Sequence, residues 1–413
     1  MRRFFALIVI STSCFTFGQS GCTDLQAQNY DPLATENDGS CVYGVTNYSP
    51  IIISDLTDGL SENSGLLFLN NSIYSINDGG NSTIINELAQ NGSVVRDIFI
   101  DSVLNIDWEA ITESENELFI GDFGNNGGLR TNLKILRIDK NHVLQNDTVQ
   151  SSSIYYYYPD QSSFTNQLNN NNFDCEAFVY YQDSLHLFTK GWENLYTKHY
   201  VIPINSSDSV VAILRDSMFV DGLITDASID LQTGNLLLLG YKNNGSNFYS
   251  SFVYLLFDFP GNQFFKGNKR RIEIGNMLTL SQTEGITWKD QYMGYISSEK
   301  ISSSFITVQP KLFEFDFTTF FENPSTGNYF INDTDFLIYP NPTNKLLNVE
   351  IDVSKVNFKY SLIVDNFLGQ TIYQSPIENS KLTFGIGNEK GLYFLRIIDL
   401  NEKTIYVHKI VLN

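Results

Sequence analysis

Asp107-Trp108-Glu109-Ala110-Ile111, followed after a turn by Leu118-Phe119-Ile120-Gly121-Asp122, is the clearest copy of a pattern that the chain repeats. A polar residue, a small residue and an apolar run lead into a turn, and a second apolar run follows. The same order stands at Ser64-Gly65-Leu66 with Ile73-Tyr74-Ser75-Ile76, and at Glu176-Ala177-Phe178 with Leu185-His186-Leu187-Phe188. It returns at Ser228-Ile229 with Leu236-Leu237-Leu238-Leu239, and at Glu284-Gly285-Ile286 with Tyr292-Met293-Gly294-Tyr295-Ile296. The copies lie 45, 67, 52 and 56 residues apart. Short strands that recur at roughly 40–50 residues are the mark of β-propeller blades. The uneven steps place the variation in the loops. The expected fold is all-β: a propeller of five blades, with six as the alternative if a long step hides one, followed by a small β-sandwich.

The propeller is expected over residues 46–322. Its strand signals are short, β-branched or aromatic, and bounded by Asn, Gly, Ser and Asp clusters, as at Ile51-Ile52-Ile53, Ile98-Phe99-Ile100 and Leu312-Phe313-Glu314-Phe315. The strand at Ile51 precedes the first repeat, and the last repeat has only three strands before Thr318. Pairing the two would close the ring and remove its open edges.

The formal net charge is −20, from 26 basic and 46 acidic residues. That argues against nucleic acid or an anionic membrane as the main partner. Met1-Arg2-Arg3, the apolar run Phe4 to Ile10 and the small residues before Gly18 to Ser20 read as a signal peptide over residues 1–20. That run is too short to span a bilayer, and no later segment is long and apolar enough, so no transmembrane span is expected. Cys14 leaves with the signal. Cys22 and Cys41 bracket a polar, turn-rich segment (residues 21–44) that cannot build a core, and they are expected to pair. Asp24, Asp31 and Asp38 in it either bind Ca²⁺ or only make turns. Cys175 is left as a buried, unreactive thiol. The segment resembles a short cysteine-bounded module, often repeated, in exported bacterial surface proteins.

Residues 323–335 read as a linker. Residues 336–413 then alternate as a small antiparallel sandwich. Tyr339-Pro340-Asn341-Pro342-Thr343, Val364-Asp365-Asn366-Phe367-Leu368-Gly369-Gln370, Lys390-Gly391-Leu392-Tyr393 and the ending Lys409-Ile410-Val411-Leu412-Asn413 resemble the C-terminal sorting domain of type IX secretion substrates. The resemblance implies an address that takes the protein across the outer membrane of a Gram-negative bacterium. The secretion machinery would then be a partner, and the destination the outer cell surface or the medium.

Several common sites can be set aside. None of His142, His186, His199 and His408 lies at metal-binding helical spacing, and there is no Cys/His cluster, nucleophile elbow or phosphate-binding loop. The basic cluster Lys269-Arg270-Arg271 reads as a solvated strand edge.

The residues that lead the repeats are Ser64, Glu109, Glu176, Ser228 and Glu284. The first strand of a blade lines the axis, so these five are expected to face one central point. Like charges so placed raise each other's pKa. A hard divalent cation relieves that, and an all-oxygen ring suits Ca²⁺. The alternative is that each side chain only bonds a neighbouring blade's backbone. A second ring, about fourteen residues further on, holds Asp78, Asp122, Lys190, Tyr241 and Glu299.

The order Ser, Glu, Glu, Ser, Glu resembles the calcium-activated soluble nucleotidases (apyrases), five-bladed propellers with a central Ca²⁺ held by that set. Asn172-Phe173-Asp174-Cys175-Glu176-Ala177-Phe178 and Gln282-Thr283-Glu284-Gly285-Ile286 resemble a family of uncharacterised exported propellers. Two functions are expected to compete. One is a surface-displayed binding or scaffold propeller with an axial Ca²⁺. The other is a Ca²⁺-dependent extracellular hydrolase of phosphate esters or anhydrides. In the hydrolase, Glu299, Asp122 or Asp174 would activate water, and Lys190 or Arg130 would steady developing charge.

Overall fold

The computed structural model describes residues 18–205, 209–245, 248–302, 307–321, 336–351, 361–367, 369–377, 381–386, 390–398 and 404–412. The signal peptide up to residue 17, with Cys14, and the linker 323–335 lie outside them. The chain divides into two compact units, Met1–Phe317 and Thr318–Asn413.

The first unit contains five sheets built on one plan, each with an innermost strand in antiparallel order with its successors. The innermost strands are Asn63–Leu69, Trp108–Glu113, Asp174–Tyr181, Leu223–Ile229 and Gln282–Trp288. Each packs against the next, and the fifth returns to the first, so the cycle is closed. The closing pair is the one expected: Ile51–Asp55 forms the outer strand of the fifth sheet beside Lys311–Asp316. The first, second and fourth sheets also take a two-residue parallel strand on their outer edge, from Thr148–Val149, Val210–Val211 and Thr46–Asn47.

The second strand of a blade is covered on both faces by its neighbours. That is why Leu236-Leu237-Leu238-Leu239 reads as an unbroken apolar run and all four side chains are buried. The core consists of wedges between adjacent sheets. Tyr74, Trp108 and Leu118 fill one, Phe123, Tyr158 and Phe178 the next, and Phe188, Phe252 and Phe264 a third. Where the innermost strands approach one another, space for side chains is short at two glycines. A Cβ on Gly65 would lie 2.7 Å from Ala110 Cα, and one on Gly285 would lie 2.5 Å from the Ser64 carbonyl oxygen. The small residue in the repeat is thus set by the approach of neighbouring strands. Cys175 lies in the second wedge, where burial pushes its thiol up to about 12.

The Cys22–Cys41 disulfide is present, and its segment belongs to the first unit. Each of Asp24, Asp31 and Asp38 accepts a backbone N–H two residues on, from Gln26, Leu33 and Ser40. That is turn geometry. The segment packs on the outer edge of the fourth sheet. Asn37 Nδ2 donates to Asp258 and Asn268, Lys269 Nζ donates to the Gly39 carbonyl at 3.1 Å, and the Arg270 guanidinium lies 5.3 Å from the Tyr43 ring centre. Lys269 and Arg270 of the basic cluster therefore fasten this segment, while Arg271 pairs with Glu273.

The second unit is a sandwich of two antiparallel sheets. One holds Phe336–Tyr339, Leu346–Ile351 and Lys381–Gly385. The other holds Thr371–Pro376, Ser361–Asn366, Gly391–Ile398 and Thr404–Leu412. Leu347, Val349 and Phe384 meet Leu362, Val364, Leu395 and Ile410 between them. The Asn341 side chain joins the last strand at both ends of its amide: Nδ2 donates to the Lys409 carbonyl at 2.8 Å and Oδ1 accepts from Val411 N at 3.0 Å. Two of the motifs quoted above are therefore one structural feature.

Candidate functional site

Near the start of each innermost strand the pairing register slips by one residue. The extra residue of such a bulge is unpaired, and its side chain is re-aimed. The slip falls at Ser64-Gly65, Glu109, Glu176, Thr225 and Glu284. It turns side chains toward a cavity of about 220 Å³ at that end of the axis. Ser64, Glu109, Glu176 and Glu284 line it, as do Asp78, Lys190, Tyr241 and Glu299 of the second ring, with Asn63, Asn126, Asn169, Trp192 and Gln282.

Ser228 is not among them. Its Oγ accepts from Trp288 N at 3.0 Å, and it borders a separate cavity at the other ends of the innermost strands. The bulge position of the fourth blade is Thr225. The hairpin explains the three-residue error: from bulge to second strand is eight residues in the first three blades but eleven in the fourth. The two hydroxyls at bulge positions act as bonds between blades. Ser64 Oγ donates to the Glu109 carbonyl at 2.5 Å, and Thr225 Oγ1 to the Thr283 carbonyl at 3.0 Å. Of the five residues expected on the axis, Ser64 and Ser228 thus each bond the backbone of a neighbouring blade.

The carboxylates differ. Glu109, Glu176 and Glu284 are buried, and burial pushes all three pKa values up. Glu176 has a counter-ion in Lys190, whose Nζ lies 2.5 Å from Glu176 Oε2. Glu284 Oε1 accepts from Gln282 Nε2 at 2.5 Å. Glu109 instead joins Asp78 and Asp107, and one ligand oxygen from each lies within 4.8 Å of the other two. Burial, then Asp78, raises Asp107 to about 7. Burial, then Glu284, raises Glu299 to about 9.

Asp122, Asp174 and Arg130 are engaged elsewhere. Asp122 is wholly buried and paired with Arg130 at 2.8 Å and Lys134 at 3.4 Å. Arg130 also donates to the carbonyls of Gly124 and Asp122. Asp174 accepts from Asn125 N at 2.6 Å and Trp192 Nε1 at 2.7 Å, which holds two loops around the cavity. Of the candidate catalytic residues, only Lys190 and Glu299 face the cavity.

Two site residues were not singled out in the sequence. Asp107 stands two residues before Glu109, and that spacing was the available signal. Asp226 stands where the other blades carry Gly65, Ala110, Ala177 and Gly285. It accepts backbone N–H groups from Ile286 at 2.7 Å, Ala227 at 2.8 Å and Leu66 at 3.5 Å, and so ties three sheets together at the axis.

The raised carboxyl groups predict how metal-free protein responds to pH. A group whose pKa is raised on folding contributes stability below its unfolded value, about 4 here, and loses it as pH rises through the folded value. The melting temperature is therefore expected to fall as pH rises, with the Asp107 share complete by about pH 7 and the Glu299 share continuing to about pH 9. His186, which burial lowers to about 3, works the other way below its unfolded value of about 6.5, so the fall is read from pH 7 upward, where Glu299 carries it. Thermal melts of wild type and Glu299→Gln in chelator check this. The variant is expected to lose the upper part of the fall, and identical curves would refute the assignment.

The first unit thus defines an all-β propeller with an acidic cavity on its axis. Residues 337–413 match the family model of the secretion system C-terminal sorting domain. The protein is accordingly secreted and attached at the outer surface of a Bacteroidetes-type Gram-negative cell, with the secretion machinery as its transport partner. Among the described residues no helix is long and apolar enough to cross a membrane. No curated protein matches the chain. Among solved structures, the Myxococcus xanthus glutaminyl cyclase is similar at 13% identity and a TM-score of 0.40, over 66% of this chain and 97% of that one. The RS223 β-xylosidase is similar at 12% identity and a TM-score of 0.31, over 50% and 72%. At these scores neither bears on what this chain does.

Proposed function

We propose that this is a surface-displayed binding propeller whose axial cavity takes Ca²⁺ at Asp78, Asp107 and Glu109. The observation behind this reading is the approach of those three carboxyl groups to within 4.8 Å. Carboxylates so close repel each other, and a hard divalent cation reverses the sign of that interaction. The donors are all oxygen, and the amides of Asn126 and Asn169 line the same cavity, which suits Ca²⁺ better than zinc. The set differs from the expected ring in using Glu109 with two aspartates instead of the three glutamates together. Calorimetric titration with CaCl₂ is the test. Wild type is expected to bind, and Asp107→Asn to bind at least about tenfold more weakly, since one ligand charge is gone. At 100 times Kd the ion is expected to stabilise the fold by about 2.7 kcal/mol. No heat of binding and no change of melting temperature on chelation would sink the reading.

One observation favours the alternative, a Ca²⁺-dependent hydrolase of phosphate esters or anhydrides. Glu299, whose carboxyl burial and then Glu284 push up to about 9, lines the same cavity as Lys190. A proton donor beside a fixed cation suits a developing anion. Phosphate release from a nucleotide panel, with and without Ca²⁺ and with Glu299→Gln as control, separates catalysis from binding alone.

A further inference from the structure

We propose that Lys190 is a cation built into the axis, and that its ammonium keeps divalent ions off Glu176 and Glu284 and confines them to the Asp78 side of the cavity. The inference rests on the reading that the cavity binds a divalent cation, but it makes a separate claim about the lysine.

Lys190 ends the second strand of the third sheet, opposite Asp174 in the ladder. Its side chain is 4% exposed. The ammonium meets the Glu176 carboxylate and lies 5.0 Å from the ring centres of both Trp192 and Tyr241. A carboxylate and two aromatic faces are the surroundings that a bound alkylammonium ligand would have. Here the ligand is tethered. Its presence sets Glu176 and Glu284 apart from the Asp78, Asp107 and Glu109 group. Glu176 is neutralised by contact with the ammonium, and Glu284 is held by Gln282 and also feels the Lys190 charge. Glu109 instead turns toward Asp78 and Asp107, with one oxygen of each within 4.8 Å of the other two.

A divalent ion placed on Glu176 and Glu284 would sit against a positive charge in a site shielded from water, where such repulsion is strong. The ammonium cannot retreat to solvent as a surface lysine would, because Trp192 and Tyr241 enclose it. The ion is left with the Asp78 group. Removing the positive charge should therefore open the remaining carboxylates to metal and tighten binding, although Lys190 itself touches no metal.

Calorimetric titration of the full chain with CaCl₂ tests this. Lys190→Met keeps the apolar stem against Trp192 and Tyr241 and removes the charge. It is expected to bind Ca²⁺ at least tenfold more tightly than wild type. Lys190→Arg, which keeps the charge, is expected to stay near the wild-type value. Equal or weaker binding by Lys190→Met overturns the proposal. If wild type shows no binding but Lys190→Met does, the metal reading of the native cavity fails and the role of Lys190 stands.

A second measurement needs no metal. In chelator, n-butylammonium is expected to raise the melting temperature of Lys190→Ala and leave wild type unchanged, because it refills the vacated box. No rise overturns the assignment of Lys190 as the resident cation. Should either variant fail to fold in plain buffer, Ca²⁺ for Lys190→Met and n-butylammonium for Lys190→Ala are expected to restore it. A chain that stays unfolded in both solutes also overturns the proposal.

Discussion

Deletion of residues 336–413 is expected to abolish display of the protein at the cell surface while leaving the propeller folded. The chain divides into its two compact units after Phe317, and the sandwich has its own core of Leu347, Val349, Leu362, Leu395 and Ile410. A unit with its own core can be removed without opening its neighbour. The sorting family match covers the sandwich alone. The truncated protein is therefore expected to accumulate in the periplasm with an unchanged melting temperature. Protease accessibility on intact cells, with fractionation, reads the outcome. Normal surface display of the truncated chain would remove the sorting role.

The second large effect is expected at Asp226. Asp226→Ala leaves the amides of Ile286 and Ala227 without their acceptor in a wholly buried site, and weakens the tie to Leu66. An unsatisfied buried donor costs about 1–3 kcal/mol, so a loss of about 2–4 kcal/mol is expected, read by urea unfolding. Asp226→Asn is expected to be intermediate. Its amide oxygen can still accept, but its NH₂ group would face a donor. A change below about 0.5 kcal/mol for the alanine variant would mean that the axis repacks around the gap.

Much of this was legible in the sequence because it follows from period and sterics. The repeat located all five innermost strands. The unpaired strand at Ile51 predicted the closure. Glu109, Glu176 and Glu284 could be placed on the axis because each precedes a small residue that crowded strands require. The fourth blade broke the rule at both positions. Its hairpin is three residues longer, and Asp226 replaces the small residue, so the pattern was matched to Ser228 by counting back from the leucine run. Asp226 fits because its carboxylate is used up by backbone groups of other sheets, a long-range partnership with no local signature. The pairing of Asp122 with Arg130 and the convergence of Asp78 with Glu109 are likewise set by loops between blades, whose paths no periodicity records. Lys190 could be placed in the second ring. That its charge would occupy the place anticipated for a metal ion depends on Trp192 and Tyr241 arriving from different blades.

The strand that closes the ring has a further consequence, for the order of events during export. Lys311 and Asp55 are 256 residues apart, yet they share a sheet and an ion pair. Such a contact is late by nature, since the entropy of closing so long a loop must be met before the contact returns anything. Until residue 316 is available, the fifth sheet lacks the strand that Ile51–Asp55 must join. The nascent molecule then carries an unsatisfied strand edge, which invites pairing with other chains. A chain interrupted anywhere before Lys311 is thus a candidate for aggregation or proteolysis, whereas a finished one has joined both ends of its propeller.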